Sequence, residues 1–327
     1  MQGISVVIPN YNGVGLFPHT LPTVFEALAG LTLPWELIVV DDCSTDDSVT
    51  WLQAHYPQII LLRNAVNSGF SVTVNNGVRA AQYDLVLLLN SDVKLTPGYF
   101  APQLRYFDDP QTFGVMGRIV GWDDDIVQDG AKYPYFHGVK IKTSGNYLPE
   151  SEDERRGGLL SMYLSGANAL VRRELYWKVG GLNELFSPFY VEDFELSLRA
   201  WRMGFLCWYE YDAVCRHRVS TTIRTGARKR FVEIVYNRNK MLLHALHLPR
   251  GARYVYFLQL LLETLARLLT GRWSFVQSLG QLLGRYGRVR QARAKFLQNG
   301  NSTRLLSVRE AADRVLQFIK HKKIKKF

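Results

Sequence analysis

Residues 85–92 read Leu-Val-Leu-Leu-Leu-Asn-Ser-Asp, a run of five apolar residues that ends abruptly in polar ones. Residues 35–42, Trp-Glu-Leu-Ile-Val-Val-Asp-Asp, repeat this arrangement, and residues 4–8 form another short apolar run before the turn-rich residues 9–13. Short runs that are apolar throughout and contain β-branched residues are typical of strands buried on both faces. The sequence therefore predicts buried strands that end in polar residues.

Helical patterns separate these strands. Residues 16–31 and 70–81 have helical periodicity, residues 59–62 resemble a third strand, and residues 44–47 resemble an N-cap for a helix ending near His55. Strands that alternate with helices predict an α/β fold with a parallel sheet covered on both faces. Ligands of such sheets bind at the carboxyl ends of the strands. The residues predicted to lie there are Pro9, Tyr11, Asp41, Asp42, Arg63, Asn67, Asn90 and Asp92.

The composition indicates a folded protein with an uneven charge. Of 327 residues 47% are hydrophobic, and the net charge of +11 comes from the basic part that follows Arg216, whereas residues 1–60 are acidic. This asymmetry favours an anionic partner for the C-terminal part. The three cysteines, without disulfide or metal-site spacing, favour a reducing compartment. Residues 1–9 do not resemble a signal peptide, so we expect a cytoplasmic location.

The second half of the chain has a different pattern. We expect residues 98–165 to be less regular, with a mobile surface loop at residues 150–156, and residues 246–327 to form a basic helical region after a domain of residues 1–245. Residues 254–269 contain too many charges for a transmembrane helix. Their amphipathic pattern and the lysine-rich end suit an anionic membrane surface. A helical subdomain or a dimer contact is the alternative.

Taken in order, the motifs resemble family 2 glycosyltransferases. They are residues 6–13, 39–46, 67–70, 89–92, 180–184 and 190–193, and the resemblance covers about residues 3–245. It implies the GT-A fold, a Rossmann-like, mostly parallel sheet flanked by helices. It also implies inverting transfer of a sugar from a nucleotide diphosphate. The branch that it resembles most includes bacterial rhamnosyltransferases of polysaccharide synthesis, so we expect a dTDP- or UDP-sugar donor and a saccharide or lipid-linked saccharide acceptor.

The resemblance assigns metal binding to residues 90–92. Asp92 matches the last Asp of the family's DxD motif, whereas Asn90 replaces the first and lies on the nucleotide side. A divalent cation there stabilises the charge of the diphosphate leaving group, and hard oxygen ligands favour Mg²⁺ or Mn²⁺. His217 is a candidate second metal ligand. A simple Asx turn at residues 90–92 and a surface histidine are the structural alternatives.

Further residues match the family's nucleotide site. Asp41 is expected to bind the pyrimidine base, and Pro9 and Tyr11 to form the pocket wall. A carboxylate accepts a hydrogen bond from a ring N–H, and an aromatic ring packs on the base or ribose. Helix capping by Asp41 and Asp42 is the structural alternative. The resemblance adds nucleotide contacts from Arg63, Asn67 and Gly69.

Catalysis by single displacement needs one base that takes the proton of the acceptor hydroxyl. Asp193 matches the family's usual base, and Glu192 is expected to orient the acceptor or the site. Glu195 is interpreted as structural because it points away from Asp193 on a helix. Both acids of the 192–193 pair alternatively serve only as favourable charges in a first helical turn.

A basic cluster and an absent motif refine the expected reaction. Arg216, Arg218, Arg224 and residues 228–230 are candidates to clamp the donor diphosphate or an anionic acceptor. The Gln-x-x-Arg-Trp motif of processive members does not occur at residues 198–202, which favours addition of a single sugar.

Three other functions compete with sugar transfer. An inactive, membrane-bound scaffold would be expected to have lost Asp41, Asp92 or Asp193, and all three are present. Nucleic-acid binding is disfavoured because the basic residues form no known nucleic-acid module. Nucleotidyl transfer would need a phosphate-binding glycine-rich loop, for which residues 10–13 are a poor match.

Overall fold

The computed structural model describes residues 2–218, 226–299 and 304–327. It contains strands and helices in alternation over the first part of the chain and mainly helices over the last. The strands are β1 Ile4–Asn10, β2 Trp35–Asp41, β3 Ile60–Arg63, β4 Leu85–Leu89, β5 Val93–Leu95, β6 Thr112–Gly121, β7 Val127–Asp129, β8 Ala131–His137, β9 Lys140–Pro149, β10 Leu159–Leu160, β11 Asn168–Arg172, β12 Leu206–His217 and β13 Ile324–Lys326.

The helices follow the same alternation up to the middle of the chain. They are α1 Phe17–Ala29, α2 Ser48–His55, α3 Phe70–Ala80, α4 Ala101–Leu104, α5 Glu152–Gly157, α6 Arg173–Lys178, α7 Glu192–Arg202, α8 Gly226–His247, α9 Arg250–Leu269, α10 Trp273–Asn299 and α11 Val308–Lys320.

The large sheet has the order β10-β12-β6-β11-β4-β1-β2-β3, with β5 and β7 paired to β12 and β6. Strands β4, β1, β2 and β3 are parallel neighbours, and β12 is parallel to β6. The predicted α/β fold with a mostly parallel sheet and a helical C-terminal region is confirmed. The ends of β1, β2 and β4 therefore meet at one edge of the sheet.

The central strands are buried on both faces, as their composition predicts. Val6 and Val39 belong to the core cluster beneath α1, whereas Val7 and Val40 belong to the cluster that contains α3 and α7. Because successive side chains of a strand point to opposite faces, a strand covered on both sides must be apolar throughout. This requirement explains why the strands appear as unbroken apolar runs.

The region predicted to be irregular contains a second sheet. Strands β8 and β9 form an antiparallel pair with a register shift near Tyr133, and β13 adds to the outer edge of β9. The expectation of an irregular middle is thus wrong for residues 131–149. The buried Lys132 and the register shift near Tyr133 break the alternation of apolar and polar residues there, so that the strands are hard to recognise in the sequence.

One local expectation differs from the structure and another agrees with it. Residues 152–157 form α5, whose N-cap residue Ser151 accepts a hydrogen bond from the Glu154 backbone N–H, so the segment is not a loop. The second helix begins at Ser48 with Asp47 as its N-cap residue, within the expected N-cap region of residues 44–47. Ser44 and Thr45 bond to the loop that follows β1, so that side-chain hydrogen bonds fix the segment before this helix.

A buried polar network fixes α7. Glu195 pairs with Arg199 at 2.8 Å and accepts a hydrogen bond from His247 at 2.9 Å, and all three side chains are almost fully buried. Arg199 also donates to the carbonyls of Val179 and Gly181. The expected structural role of Glu195 agrees with this arrangement.

The C-terminal helices pack onto the sheet. Helix α11 contacts α7 and β8, and its apolar side chains join the core cluster of α3 and α7. The expected boundary after residue 245 falls inside α8, and the division into two domains stays a prediction. No helix within the described ranges is both long enough and apolar enough to cross a bilayer.

Candidate active site

The loops after β1 and β2 are joined by side-chain hydrogen bonds. Asp41 is fully buried, and its two oxygens accept bonds from the Asn10 amide at 2.9 Å and from the Ser44 backbone N–H at 3.0 Å. The carbonyl oxygen of the Asn12 side chain accepts a bond from the Thr45 amide at 2.8 Å. Because Asp41 has no exposed surface, its contact with a base would need the end of β1 or the loop after β2 to shift.

Several of the expected nucleotide contacts are exposed around this loop. Tyr11 follows β1 with 53% of its surface exposed, beside the half-buried Pro9. Arg63, at the end of β3, is the register partner of Asp41, and both Arg63 and Asn67 are exposed. An aromatic face, a guanidinium and an amide thus surround the strand ends, which suits a polar, flat ligand.

Asp42 holds the loop after β3 in place. One of its oxygens accepts bonds from the Asn64 side chain at 2.7 Å and the Ser68 amide at 2.9 Å, and the other accepts from the Gly69 amide at 2.8 Å. Gly69 has a φ of +84°, and an added Cβ would lie 2.8 Å from Pro188 Cα. The structure places Gly69 between two protein segments, with its amide already bonded.

Asp92 and His217 lie next to each other. Strand β5 pairs with the end of β12, so that His217 Nε2 is 3.6 Å from Asp92 Oδ2. The other oxygen, Asp92 Oδ1, is buried and has no hydrogen-bond partner. An unpartnered carboxylate oxygen beside an imidazole nitrogen fits a divalent cation, which accepts oxygen and nitrogen ligands.

These two residues are not a complete cage. In the part of the chain that the structure describes, no three His, Cys, Asp or Glu side chains gather around one point. A cation would therefore take its remaining ligands from a diphosphate and water, as Mg²⁺ sites commonly do. Asn90 closes a turn through its carbonyl, which accepts from the Val93 amide at 3.2 Å.

Gln128 orients the candidate histidine. Its side-chain oxygen lies 3.3 Å from His217 Nδ1, and its amide nitrogen lies 3.4 Å from the His217 carbonyl. If Nδ1 donates to Gln128, Nε2 is the unprotonated nitrogen and points toward Asp92. Nothing in the sequence singles out Gln128, because β7 lies in the region predicted to be irregular.

The acidic pair occupies the first turn of α7. The Asp193 carboxylate accepts bonds from the Phe194 amide at 2.7 Å and from the Gly166 amide at 3.3 Å. Next in the chain, the carbonyl of Ala167 accepts from the Asn90 amide at 3.1 Å. Residues 166 and 167 thus connect Asp193 to the end of β4, and the structure brings the predicted base to the predicted metal and nucleotide side.

Burial changes the protonation of this pair. It raises the pKa of Asp193, partly offset by the two backbone N–H groups and by the nearby charge of Lys132. Burial, together with the charge of Asp193, raises the pKa of Glu192 to about 8. Glu192 Oε2 also has no hydrogen-bond partner. Two adjacent acids in this environment favour sharing one proton, and the two backbone N–H donors favour placing the negative charge on Asp193.

Lys132 is a cation that the sequence analysis missed. It is buried on β8, pairs with Asp129 and donates to Asn146 at 2.5 Å. Burial lowers the pKa of Lys132 to about 8, and the negative charge of Asp193 opposes this change. The sequence around Lys132 has neither a clear strand pattern nor a known motif, so nothing in it predicts a functional lysine.

The backbone that leads into α7 is strained. Tyr190 and the β-branched Val191 have φ values of 75° and 73°, in the left-handed region. Each such residue costs about 1–3 kcal/mol and needs support from its surroundings. Asn239 provides this support, since its amide nitrogen donates to the carbonyls of Phe186, Phe189 and Tyr190 at 2.6, 2.9 and 2.8 Å.

Arg238 completes the support. It is 2% exposed, donates to the Ser187 carbonyl at 2.6 Å, and donates to the Asn239 side-chain oxygen at 2.8 Å.

The basic cluster expected downstream of β12 is more dispersed. Arg216 pairs with Asp125, Arg218 is exposed, residues 228–230 begin α8, and Arg224 lies outside the described residues.

Replacement of Asn239 is expected to loosen the loop before α7. In Asn239→Ala the carbonyls of Phe189 and Tyr190 lose the Asn239 donor and the carbonyl of Phe186 keeps only Arg238, at 3.4 Å. We expect a loss of about 1–3 kcal/mol of unfolding free energy. Amide hydrogen exchange in residues 186–194, measured by mass spectrometry, should become faster. Glu233→Ala, an exposed change on the same helix, is the control. Equal exchange in wild type and Asn239→Ala would contradict the assigned support.

The family model described as Glycosyl transferase family 2 matches residues 5–180, more than half of the chain. YwdF of Bacillus subtilis (strain 168), an uncharacterized glycosyltransferase, is 28% identical over 54% of this chain and 60% of its own length. An N-acetylglucosaminyl-diphospho-decaprenol L-rhamnosyltransferase of Mycobacterium tuberculosis is 27% identical over 63% of this chain and 75% of its own. The O-antigen chain rhamnosyltransferase RfbN of Salmonella typhimurium is 25% identical over 70% of each chain.

Solved structures share the fold at low sequence identity. GalNAc-T7 with UDP, GalNAc and Mn²⁺ superposes with a TM-score of 0.70 at 15% identity, over 98% of this chain and 58% of that one. The mannosyltransferase PcManGT of Pyrobaculum calidifontis, with GDP-Man and Mn²⁺, has a TM-score of 0.51 at 17% identity, over 97% and 84%. The expected GT-A fold and the expected family are thus confirmed. The chain belongs to glycosyl transferase family 2.

Proposed function

We propose that the chain transfers one sugar, with inversion, from a nucleotide-diphosphate donor to a saccharide or lipid-linked saccharide acceptor in polysaccharide biosynthesis. The observation that carries the proposal is the meeting of two features at one sheet edge. They are the buried acid pair at the start of α7 and the Asp92–His217 pair beside the end of β4. The rhamnosyltransferases among the relatives favour a dTDP- or UDP-sugar, with rhamnose as one candidate.

The proposed step is a single displacement. The acceptor oxygen attacks the anomeric carbon, its proton passes to the Asp193 carboxylate, and the bond from that carbon to the diphosphate oxygen breaks. The electron pair of that bond leaves with the nucleoside diphosphate. Glu192, protonated near neutral pH, keeps a second negative charge away from Asp193 and so preserves a single base.

The donor side uses residues of the strand ends. Asp92 and His217 would hold Mg²⁺ or Mn²⁺, which when bound neutralises the charge that develops on the diphosphate. Tyr11 and Arg63 offer an aromatic face and a cation to the nucleotide. Asp41 would reach a base only after the end of β1 that carries Asn10 moves, and Gly69 acts by holding the loop to which Asn67 belongs.

Donor binding should depend on Asp92. A thermal-shift screen of UDP-, dTDP- and GDP-sugars with Mn²⁺ or Mg²⁺ is expected to identify one nucleotide that stabilises the wild type. In Asp92→Ala the metal-dependent part of that shift should vanish, and the Mn²⁺ dissociation constant should rise about tenfold or more. Asp123→Ala, an exposed acid, is the control. An unchanged metal titration would remove Asp92 from the site, and no shift with any nucleotide would favour the inactive scaffold.

The two acids of α7 should respond differently to loss of charge. Asp193→Asn is expected to lower kcat about a thousandfold while the donor still binds, because no base remains. Glu192→Gln should retain turnover to within about tenfold at pH 7, since glutamine mimics the protonated acid. Because the pKa of Asp193 is raised, wild-type activity should increase with pH above the usual range of an aspartate, as Asp193 loses its proton. Retained turnover in Asp193→Asn would refute the base assignment.

We also propose that α9 rests on an anionic membrane surface, peripherally on the cytoplasmic side. Apolar residues at helical spacing leave one face of this helix open, and each is at least 50% exposed. Arg250, Arg253 and Arg272 lie at the two ends of the stripe, which complements anionic lipid headgroups. The apolar stripe consists of Tyr254, Val255, Leu258, Leu261, Leu262, Leu265 and Leu269.

Vesicle sedimentation tests the membrane proposal. The wild type should bind phosphatidylglycerol-containing vesicles more strongly than pure phosphatidylcholine, and Leu258→Ser/Leu262→Ser/Leu265→Ser should weaken binding about tenfold or more. Leu283→Ser, an equally exposed leucine on α10, is the control. A wild type that ignores vesicles but forms a dimer, which the triple variant breaks, would instead assign the stripe to a second copy of the chain.

A further inference from the structure

A second cleft begins at the candidate base and runs away from it. It has a volume of about 680 Å³ and lies between the β8–β9 hairpin and helices α8 and α9. Asp193 is part of its wall, so a ligand in this cleft can reach the carboxylate. None of the residues expected to bind the nucleotide lines it.

The cleft carries an excess of positive charge. Lys140 is neutralised by Glu263 at 2.5 Å, but Lys142, Lys240 and Arg267 form no ion pair with any carboxylate that the structure describes. Partial burial lowers the pKa of Lys240, the positive charges of Lys142 and Arg267 lower it further, and Tyr135 opposes the change. All three cations line the same cleft, so that an anion bound between them would be attracted by each.

Aromatic rings line the same space. Tyr135 and Tyr236 are 38% and 42% exposed, and Tyr163 and Tyr256 form deeper parts of the wall. The ammonium group of Lys240 lies 3.9 Å from the centre of the Tyr236 ring. Tyrosine presents an apolar face and a polar tip, which suits a sugar ring with its apolar C–H face and its hydroxyl edge.

We propose that this cleft binds the acceptor, and that the acceptor is a saccharide attached to a phosphate or diphosphate group. Lys142, Lys240 and Arg267 surround the phosphate, the tyrosines contact the sugar, and the reacting hydroxyl faces Asp193. A carboxylate carries one negative charge, whereas a phosphate monoester, or a diphosphate that links a sugar to a second group, carries up to two and so offsets more of the charge of the three cations. This inference rests on the proposed function, because it assigns the second substrate of the same base.

Phosphate-bearing probes test the assignment without knowledge of the natural acceptor. Calorimetry in EDTA would compare inorganic pyrophosphate, glucose 1-phosphate and methyl glucoside on the wild type and on Lys142→Met/Lys240→Met. Both lysines are exposed, and methionine keeps the apolar part of the side chain. We expect the double variant to lose about tenfold or more in affinity for both phosphates. Lys295→Met, an exposed lysine outside the cleft, should behave as the wild type.

A third variant and two further ligands complete the experiment. Arg267→Met, added to the double variant, should weaken phosphate binding again, with the melting temperature showing that the chain remains folded. A short prenyl diphosphate-linked sugar that binds more tightly than glucose 1-phosphate would identify a lipid-linked source, and equal affinity would identify a free one. Unchanged phosphate affinity in the variants would overturn the proposal.

Measurements of nucleotide binding distinguish a failure of this proposal from a failure of the proposed function. UDP and dTDP binding with Mn²⁺ should be equal in wild type and in the lysine variants, because the cations serve the acceptor. If the variants lose nucleotide binding as much as phosphate binding, the cleft belongs to the donor and the acceptor assignment is wrong. If no nucleotide binds to any variant or to the wild type, the proposed function fails instead.

Discussion

The buried ion pair between Glu195 and Arg199 determines where α7 lies, and the position of α7 determines the site. Two charges lose hydration when they are buried together, so such a pair persists only where further hydrogen bonds satisfy both groups. Arg199 donates to two carbonyls of the turn at residues 179–181, and Glu195 also contacts His247 on α8. Glu192 and Asp193 precede Glu195 by three and two residues, so the hydrogen bonds that hold Glu195 also fix the position of the acid pair.

Helix α7 therefore carries carboxyl groups whose pKa values are shifted in opposite directions. Burial alone would raise the pKa of Glu195, but Arg199 and His247 lower it to about 2 and keep it charged. Glu192 is buried and Asp193 is half-buried, neither has such a cationic partner in hydrogen-bond contact, and their pKa values are raised. Environment rather than residue type divides structural from reactive acids. The same logic applies at the strand ends, where Asp42 is fully bonded and Asp92 keeps an unpartnered oxygen.

The features that could be predicted from the sequence are those that depend on patterns within a few neighbouring residues. The buried strands β1, β2 and β4, the helices between them and the family could be read because apolar runs and motifs are local. The residues that the analysis missed act over long separations. Asn239 supports a loop some 50 residues earlier. Lys132 lies near Asp193 on β8, a strand whose alternation of apolar and polar residues is broken by this buried lysine. The bonds around Asp41 likewise depend on a partner in another loop, Asn10.

The contact between Gly69 and Pro188 links the proposed donor and acceptor sides of the site. The Phe70 amide donates to the Pro188 carbonyl at 2.9 Å, and there is no room at Gly69 for one additional carbon atom. The loop after β3 and the loop that enters α7 are therefore packed so tightly that neither can move without the other. We expect a ligand that orders one of these loops to change the mobility of the other, and thermodynamic reciprocity would make this coupling equal in both directions. Binding of one substrate would then change the affinity of the site for the other.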